Sequence, residues 1–327
     1  MTIRMRLYAG LKDIQPIIDV KITCTTVENI YDYPTVSDLR ELLAPVQTEG
    51  TTMRSAMEEE DRTTNRDDYR RALTQQATAL WEDDGQLLAY ALFAFPSTIL
   101  VFQVHPATRG RGIETQILAW GIERLHTAGE RHSRRLSLWC RCHENEAERR
   151  ALLEDAHFKP QPWRDLRMIC SLDLPVPEAT LPPGFVLRLG VTEEELEKYQ
   201  DLHRAVFDGV SMNFDYHQSR AYQPDLDLIA VSPDGTFTAF CLCRLKLVAD
   251  SSGEYAVGEI GVIGTRTEYQ KRGLGRALLL SGIQRLKERG GKSVFLETED
   301  GETAALRLFM SAGFRTVSAW HWFTKEV

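Results

Sequence analysis

The residues with the clearest chemistry are QKRGLGR, residues 270–276, in the second half of the chain. They follow a strand-like run and lead directly into an apolar-faced helical pattern. The first amide N–H groups of a helix have no partner inside it, and the helix dipole adds about half a positive charge at that end. Lys271, Arg272 and Arg276 add whole positive charges, and two glycines let an anion approach the backbone closely. The stretch therefore predicts a cradle for a diphosphate.

Two common nucleotide-binding loops do not fit residues 270–276. A phosphate-binding NTPase loop ends in Gly-Lys-Ser or Gly-Lys-Thr, and a dinucleotide-binding loop reads G-x-G-x-x-G with an acidic residue about 20 positions later. Neither pattern is present here. A glycine-rich turn whose basic side chains are merely solvated stays as the alternative.

The elements that position this stretch occur twice in the chain. GIERL at 121–125 matches GIQRL at 282–286, which is a shift of 161 positions. The same shift aligns Arg109, Gly112, Leu118, Ile122, Leu125 and Gly129 with Gln270, Gly273, Leu279, Ile283, Leu286 and Gly290. Similarity at this spacing predicts two copies of one domain.

A proline-rich segment separates the two copies. LDLPVPEATLPPGF, residues 172–185, contains four prolines, which remove amide donors and favour extended chain. We therefore predict a first domain over residues 1–173, a linker over 174–183 and a second domain over 184–327.

Strand and helix patterns alternate in the second copy. Residues 192–207 predict a helix with a capping threonine and Glu195 at the capping-box position. Two strands flank a Pro-Asp-Gly turn at 233–235, a third strand runs through 258–265, and a helix spans about 274–289. A strand, a helix and a final strand follow. This order predicts a mixed α/β sheet in each of two tandem domains.

The loop resembles the Q/R-x-x-G-x-G/A signature of the GNAT acyltransferase superfamily. The matching residues are Gln270, Lys271, Arg272, Gly273, Leu274 and Gly275. LRLFMSAGF at 306–314 resembles the family's second motif, L-Y-E-x-x-G-F, and the resemblance covers the second half in element order. It implies acetyl-CoA as the acyl donor, with its diphosphate on residues 270–276 and its pantetheine arm bonded to the strand around Ile263 and Thr265. The plan is similar to that of tandem bacterial GNAT proteins, which include the mycothiol synthases, and it does not name the acceptor.

The resemblance also implies the reaction. Acyl transfer from a thioester to an amine needs a neutral amine, stabilisation of the tetrahedral oxyanion and a proton for the departing thiolate. Glu259 lies eleven residues before Gln270, the offset at which the histone-type branch of the superfamily carries its catalytic glutamate. We predict that Glu259 is the base that deprotonates a small-molecule or peptide amine. The alternative is an edge carboxylate paired with a nearby Arg or Lys.

The proton donor departs from the family pattern. Phe309 stands where related proteins commonly carry a tyrosine, and Glu302 stands where an asparagine is common. Water, Tyr255 or Tyr269 could donate instead, or the thiolate leaves unaided, as its ordinary pKa of about 8.5 permits. The alternative function is a sensor or scaffold that binds acetyl-CoA without turnover.

The first copy departs further from the family pattern. Its loop, residues 109–114, ends in Glu114 where the second copy has a glycine, and Thr98 stands at the position of Glu259. Leu153 and His157 replace the tyrosine and glycine of the second motif. A carboxylate beside a diphosphate opposes binding. We therefore interpret the first copy as degenerate, with a second working site as the alternative. A polar, helical stretch is predicted over about 36–80, before its strands.

Composition limits the remaining classes of function. The net charge of −8 argues against a general nucleic-acid binder. No run approaches the roughly 18 apolar residues of a membrane span, and the N-terminus lacks signal-peptide features, so we expect a cytoplasmic monomer or homodimer without membrane or nucleic-acid partners. The C-x-C pairs at 140–142 and 241–243 predict buried reduced thiols rather than a metal site.

Overall fold

The computed structural model describes most of the chain and divides it into two compact units. The described residues are 3–43, 77–93, 98–131, 135–207, 217 and 222–327. The first unit contains residues 1–164, 249–253 and 319–327, and the second contains 165–248 and 254–318. Most of the polar stretch predicted to be helical over about 36–80 lies outside the described residues. A helix is present at its start, but residues 78–80 at its end belong to a strand, so the prediction is wrong there.

The first half of the chain begins with an antiparallel sheet. Its elements are β1 (Arg4–Leu7), α1 (Ile14–Cys24), α2 (Val36–Leu43), β2 (Thr78–Asp83), β3 (Gln86–Phe93), β4 (Leu100–Val104), α3 (Ile113–Arg131), β5 (Ser137–His143), α4 (Ala147–Asp155) and β6 (Lys159–Ser171). Strands β1 to β4 form a four-stranded sheet in chain order. One core cluster joins this sheet to α3, with Trp81, Ile113 and Ile117 fully buried.

The second half contains the mixed sheet that carries the predicted site. Its elements are β7 (Val186–Leu189), α5 (Leu196–Val206), β8 (Asp227–Val231), β9 (Phe237–Asp250), β10 (Gly253–Thr265), α6 (Leu274–Glu288), β11 (Ser293–Glu299), α7 (Thr303–Ser311) and β12 (Arg315–Glu326). The strand order in this unit is β6, β11, β10, β9, β8, β7. Strand β10 is parallel to β11, whereas β7–β8, β8–β9 and β6–β11 are antiparallel. The predicted mixed α/β sheet is confirmed.

Helix α6 packs closely on this sheet because glycine lies at the contact. A Cβ on Gly282 would lie 2.6 Å from the Cys243 sulfur, and one on Gly258 would lie 2.6 Å from Leu286. The apolar residues of α6 and α7 and one face of the strands form the main core of the unit. The helix ends before Gly290, whose φ of 86° is left-handed, as the sequence predicts.

Each unit takes its last strand from the other half of the chain. Residues 165–171 of β6 pair with β11 in the second unit. Residues 320–326 of β12 pair with β5 in the first unit. The boundaries 1–173, 174–183 and 184–327 follow the order of the chain and stay a prediction about its two sequence copies.

The segment predicted as a linker, 174–183, contains no helix or strand. It packs against the second unit, because Val176, Ala179 and Leu181 contact the main core there. Lys287 on α6 donates a hydrogen bond of 2.7 Å to the carbonyl of Leu174. The proline-rich segment is therefore part of the surface of this unit.

Candidate active site

A gap opens between the two parallel strands of the second unit. Strand β10 pairs with β11 at Gly258 with Val294 and at Glu259 with Phe295. Within the described residues, β11 offers no further register partner to residues 260–265. Backbone N–H and C=O groups need partners, so this free strand edge can hydrogen-bond an extended ligand.

The loop after β10 has the backbone of an anion cradle. Lys271 and Gly273 are both left-handed, with φ of 61° and 88°, and Gly273 directly precedes α6. Gln270 N donates to the carbonyl of Thr267, and Ala277 N donates to that of Gly273. Among the described residues, no turn or cap bond takes the intervening amides of 271–276. A Cβ on Gly273 would meet nothing within 4 Å, so the approach is open.

The side chains of the loop surround this backbone. Gln270 donates to the carbonyl of Thr265 at 3.3 Å, and Arg272 donates to that of Glu268 at 3.2 Å. Arg276 reaches the carbonyl of Ser311 at the end of α7, at 3.2 Å. Lys271 is exposed. The predicted cations thus lie around the start of α6, where Arg272 and Arg276 bond to backbone carbonyls.

The residues predicted to hold a pantetheine arm lie on the free part of β10. Ile263 packs against the main core, and Thr265 ends the strand. The Thr265 hydroxyl oxygen and Leu308 would each lie 3.6 Å from a Cβ on Gly275. The free strand edge therefore continues directly into the loop.

Glu259 lies at the start of the gap, between two cations of β9. Its Oε2 is 3.1 Å from Arg244 Nε and 3.2 Å from Lys246 Nζ. The Glu259 side chain keeps 18% of its surface exposed, whereas that of Lys246 keeps 8%. The structure thus forms the ion pairs that the sequence left as the alternative to catalysis. A paired carboxylate stays charged and can still accept a proton, so the pairing does not decide its role.

A second ion pair on the same sheet face was missed from the sequence. Glu297 on β11 pairs with Arg167 on β6, with 2.5 Å between Oε1 and Nη2, and the two residues are register partners. Glu297 lies two residues after Phe295, the partner of Glu259, so both carboxylates share one face. The Arg167 side chain is only 2% exposed and covers the Phe295 ring.

Comparisons with known proteins agree with this geometry. The model of the acetyltransferase (GNAT) family matches residues 192–314. A mycothiol acetyltransferase of Thermobispora bispora is 32% identical over 227 residues, which cover 67% of this chain and 72% of that protein. The chain belongs to the GNAT family of acetyltransferases.

Solved GNAT structures share the fold of the whole chain. A GNAT acetyltransferase from Sphaerobacter thermophilus aligns with a TM-score of 0.70 and 23% identity, over 99% of this chain and 95% of that one. A tandem GNAT protein from the clavulanic acid biosynthesis pathway aligns with a TM-score of 0.68 and 15% identity, over 99% and 98%. The prediction of two tandem GNAT-like domains and of an N-acetyltransferase is confirmed.

The GNAT proton-donor position is apolar in this chain. Phe309 is 4% exposed and packs against Phe314 in the main core. Tyr269 lies on the loop side, edge-on to Phe185, and Tyr255 lies four residues before Glu259, under the ammonium group of Lys292. Neither tyrosine lies on the free part of β10.

A polar cluster lies on the face of the sheet that packs against α5. The fully buried Asp227 accepts hydrogen bonds from Tyr199 at 3.1 Å and from Tyr222 at 2.8 Å, and His217 Nε2 is 3.2 Å away. Burial, with the charge of Asp227, raises the pKa of Tyr199 well above its usual value. The cluster satisfies a buried carboxylate, which is a structural role.

The loop of the first GNAT copy has the same backbone conformation, but one of its amides is bonded to a carboxylate of the same loop. Gly110 and Gly112 have φ of 71° and 81°, matching Lys271 and Gly273 in the alignment. The amide of Gly110 donates to a carboxylate oxygen of Glu114 at 3.3 Å. A side chain of the loop itself therefore takes the position of an anion.

Two further findings concern cofactors and membranes. Within the described residues, no group of three or more His, Cys, Asp or Glu side chains is arranged to hold a metal ion, and all six cysteines are free. No described helix combines the length and the apolar character that a membrane crossing requires.

Proposed function

We propose that the second unit transfers an acetyl group from acetyl-CoA to a primary amine of a small molecule or peptide. The observation that carries this proposal is that β10–β11 pairing ends at Glu259 and Phe295, upstream of an open anion cradle in the loop that follows β10. A carboxylate, a free strand edge and an anion cradle thus follow one another in the order of the chain. The relatives named mycothiol acetyltransferase support a small-molecule acceptor.

The residues of the site fit the donor. The amides of 271–276 would hold its diphosphate, with the charges of Lys271, Arg272 and Arg276 around it. Arg272 and Arg276 are exposed and donate to neutral acceptors of Glu268 and Ser311. Within the described part of the chain, no carboxylate is among their hydrogen-bond partners, so an anion can recruit them at little cost. The pantetheine amides would bond to the free edge of β10 beside Ile263 and Thr265.

The chain's own groups then supply the chemistry. Glu259 takes a proton from the ammonium form of the acceptor, and the neutral nitrogen attacks the thioester carbon. Backbone N–H groups of β10 stabilise the oxyanion, since they are fixed beside the gap before the reaction begins. The carbon–sulfur bond then breaks, CoA leaves as a thiolate, and the second nitrogen proton passes to water as the amide forms.

Calorimetry with CoA tests the binding step, and the chain supplies its own control. Gly273→Ala places a methyl group in the open approach to the cradle and adds strain at a left-handed residue. Gly112→Ala makes the same change at the matching residue of the first copy, where a Cβ also meets nothing within 4 Å. We expect one CoA per chain, a loss of affinity of tenfold or more in Gly273→Ala and no loss in Gly112→Ala.

The opposite pattern, in which only Gly112→Ala loses affinity, would place the site in the first unit. Turnover is tested separately by thiol release from acetyl-CoA with glucosamine, n-butylamine, spermidine and a lysine peptide. Glu259→Gln should abolish the release that depends on the amine while leaving CoA affinity intact. CoA binding without such release for any amine would favour the sensor, which the apolar Phe309 also favours.

A further inference from the structure

The guanidinium of Arg244 covers a bare part of β10 at the start of the gap. Its Nε is 3.1 Å from Glu259 Oε2, and its Nη2 lies 3.0 Å from the position that a Cβ on Gly261 would take. Side chains on one face of a strand recur at every second residue, so Gly261 is the next position on this face after Glu259. The positive charge therefore lies directly over backbone, just past the last β10–β11 pair.

This position is where the proposed reaction places negative charge, so the inference depends on the proposed function. Thr265 is four positions after Gly261, which is about 13 Å along a strand. An extended pantetheine arm bridges such a span between the diphosphate cradle and the gap. The thioester must also be reachable from the face of Glu259, because the amine that Glu259 deprotonates attacks it from there.

We propose that Arg244 is a catalytic residue that stabilises the thiolate of CoA as it leaves. The nitrogen–carbon bond forms on the amine that Glu259 has already deprotonated, the second nitrogen proton passes to water, and the carbon–sulfur bond breaks with its electron pair on sulfur. Arginine stays protonated at all relevant pH values, so Arg244 contributes charge and hydrogen bonds rather than a proton. The thiolate takes its proton from water after it departs. This accounts for an apolar Phe309 at the family's proton-donor position.

Two other charged groups on this face lie near the proposed thiolate, Lys246 and Glu297. Glu297 is level with Gly261 across the gap, because Phe295 is the register partner of Glu259. Lys246 contacts the same oxygen of Glu259, but it is nearer the turn that joins β9 to β10, at the end opposite the gap. Glu297 and Arg167 face one another on β11 and β6. Lys246→Gln therefore removes a positive charge beside Glu259 without removing the one over Gly261.

The pKa of the thiol of bound CoA measures the effect of the Arg244 charge without any turnover. The complex of the full chain with CoA is titrated from pH 6 to 10, and thiolate absorbance near 240 nm is followed in a Cys170→Ser background. A cation within about 4–6 Å lowers a thiol pKa by about one to two units, so we expect bound CoA to ionise that far below its usual 8.5. Arg244→Gln should restore the usual pKa, Arg244→Lys should give an intermediate one, and Lys246→Gln should leave the lowered pKa.

Three outcomes overturn the proposal. The first is a wild-type complex whose thiol ionises like that of free CoA, and this needs no variant to fold. The second is an unchanged thiol pKa in Arg244→Gln, and the third is an equal rise in Lys246→Gln. Calorimetry on each protein shows separately whether CoA binds, so failure of the proposed binding site is distinguished from failure of the role of Arg244.

Discussion

Introducing the first copy's Glu114 at the matching position of the second copy tests whether this carboxylate prevents the loop from binding a diphosphate. Glu114 aligns with Gly275, and its carboxylate accepts the amide of Gly110 in its own loop. Gly275→Glu therefore places in the second loop the carboxylate that the first loop carries. The change is compatible with folding, because Gly275 is not left-handed and a Cβ there makes ordinary contacts of 3.6 Å.

The expected loss follows from Coulomb's law. Two unit charges about 6 Å apart repel by about 3 kcal/mol at an effective dielectric of 20, and a diphosphate carries two such charges. Salt at physiological strength and the partial exposure of Gly275 reduce this energy. We expect a net loss of about 2 kcal/mol, which is about a thirtyfold increase in the Kd for CoA.

Calorimetry with CoA measures this loss, with Gly275→Gln as the matched control. Glutamine has the size and reach of glutamate but no charge, so its Kd should stay within about threefold of wild type. The difference in Kd between the glutamate and glutamine variants should decrease at high salt, because repulsion between surface charges is screened. If glutamine weakens binding as much as glutamate, shape rather than charge closes the loop. If neither variant weakens it, the diphosphate does not lie there.

Two further predictions concern stability and thiol reactivity. Arg188 donates to both carboxylate oxygens of Glu195 through Nη1 and Nη2, and this lowers the pKa of the carboxyl to about 2. The pair therefore stabilises the fold above about pH 4.5, and this stabilisation is lost as the pH falls towards 2. Arg188 is more than one-third exposed, so Arg188→Gln should cost only about 1 kcal/mol at pH 7 and nothing near pH 2, which thermal unfolding at both values would show. Of the six cysteines, only the partly exposed Cys170 should react with a disulfide reagent in the native protein, because the others are buried and burial raises the pKa of Cys140 to about 12. A count of two or more fast thiols would contradict the packing described here.

Local chemistry made several elements predictable. The left-handed Gly273 and Gly290 at the ends of α6 follow from what glycine permits, and Glu195 accepts the amide of Thr192 as its spacing predicts. The 161-residue repeat indicated the same loop backbone in both copies. In each case, the determining residues lie within a few positions of one another.

The strand exchange was not predictable, because it depends on pairing between distant residues. Strands β6 and β12 each follow a helix that ends its own copy, so chain order alone places each in the domain that precedes it. The pairs that decide otherwise join residue 171 to 293 and residue 143 to 320. Such pairs leave no signature within either strand.

The buried charges were missed for a different reason. In FCLCRLKLV, charged and apolar residues alternate, and such alternation normally indicates one solvated face. Lys246 is nearly buried all the same, because it faces Glu259. Removing one partner of a buried ion pair destabilises the protein, so each of these charges depends on its partner. The partners lie on different strands, and only the register of the strands shows which charges pair.

The two loops show why binding and stability favour different residues at the same backbone. Their left-handed residues match, so backbone geometry cannot distinguish them. A carboxylate at a helix N-terminus satisfies free amides and contributes about 0.3–1 kcal/mol of stability, which the first copy gains from Glu114. With glycine at 275, the second copy has no such carboxylate at this position and does not gain that contribution. A loop that binds an anion must stay incomplete without it, and this difference supports the second unit as the binding copy and the first as degenerate.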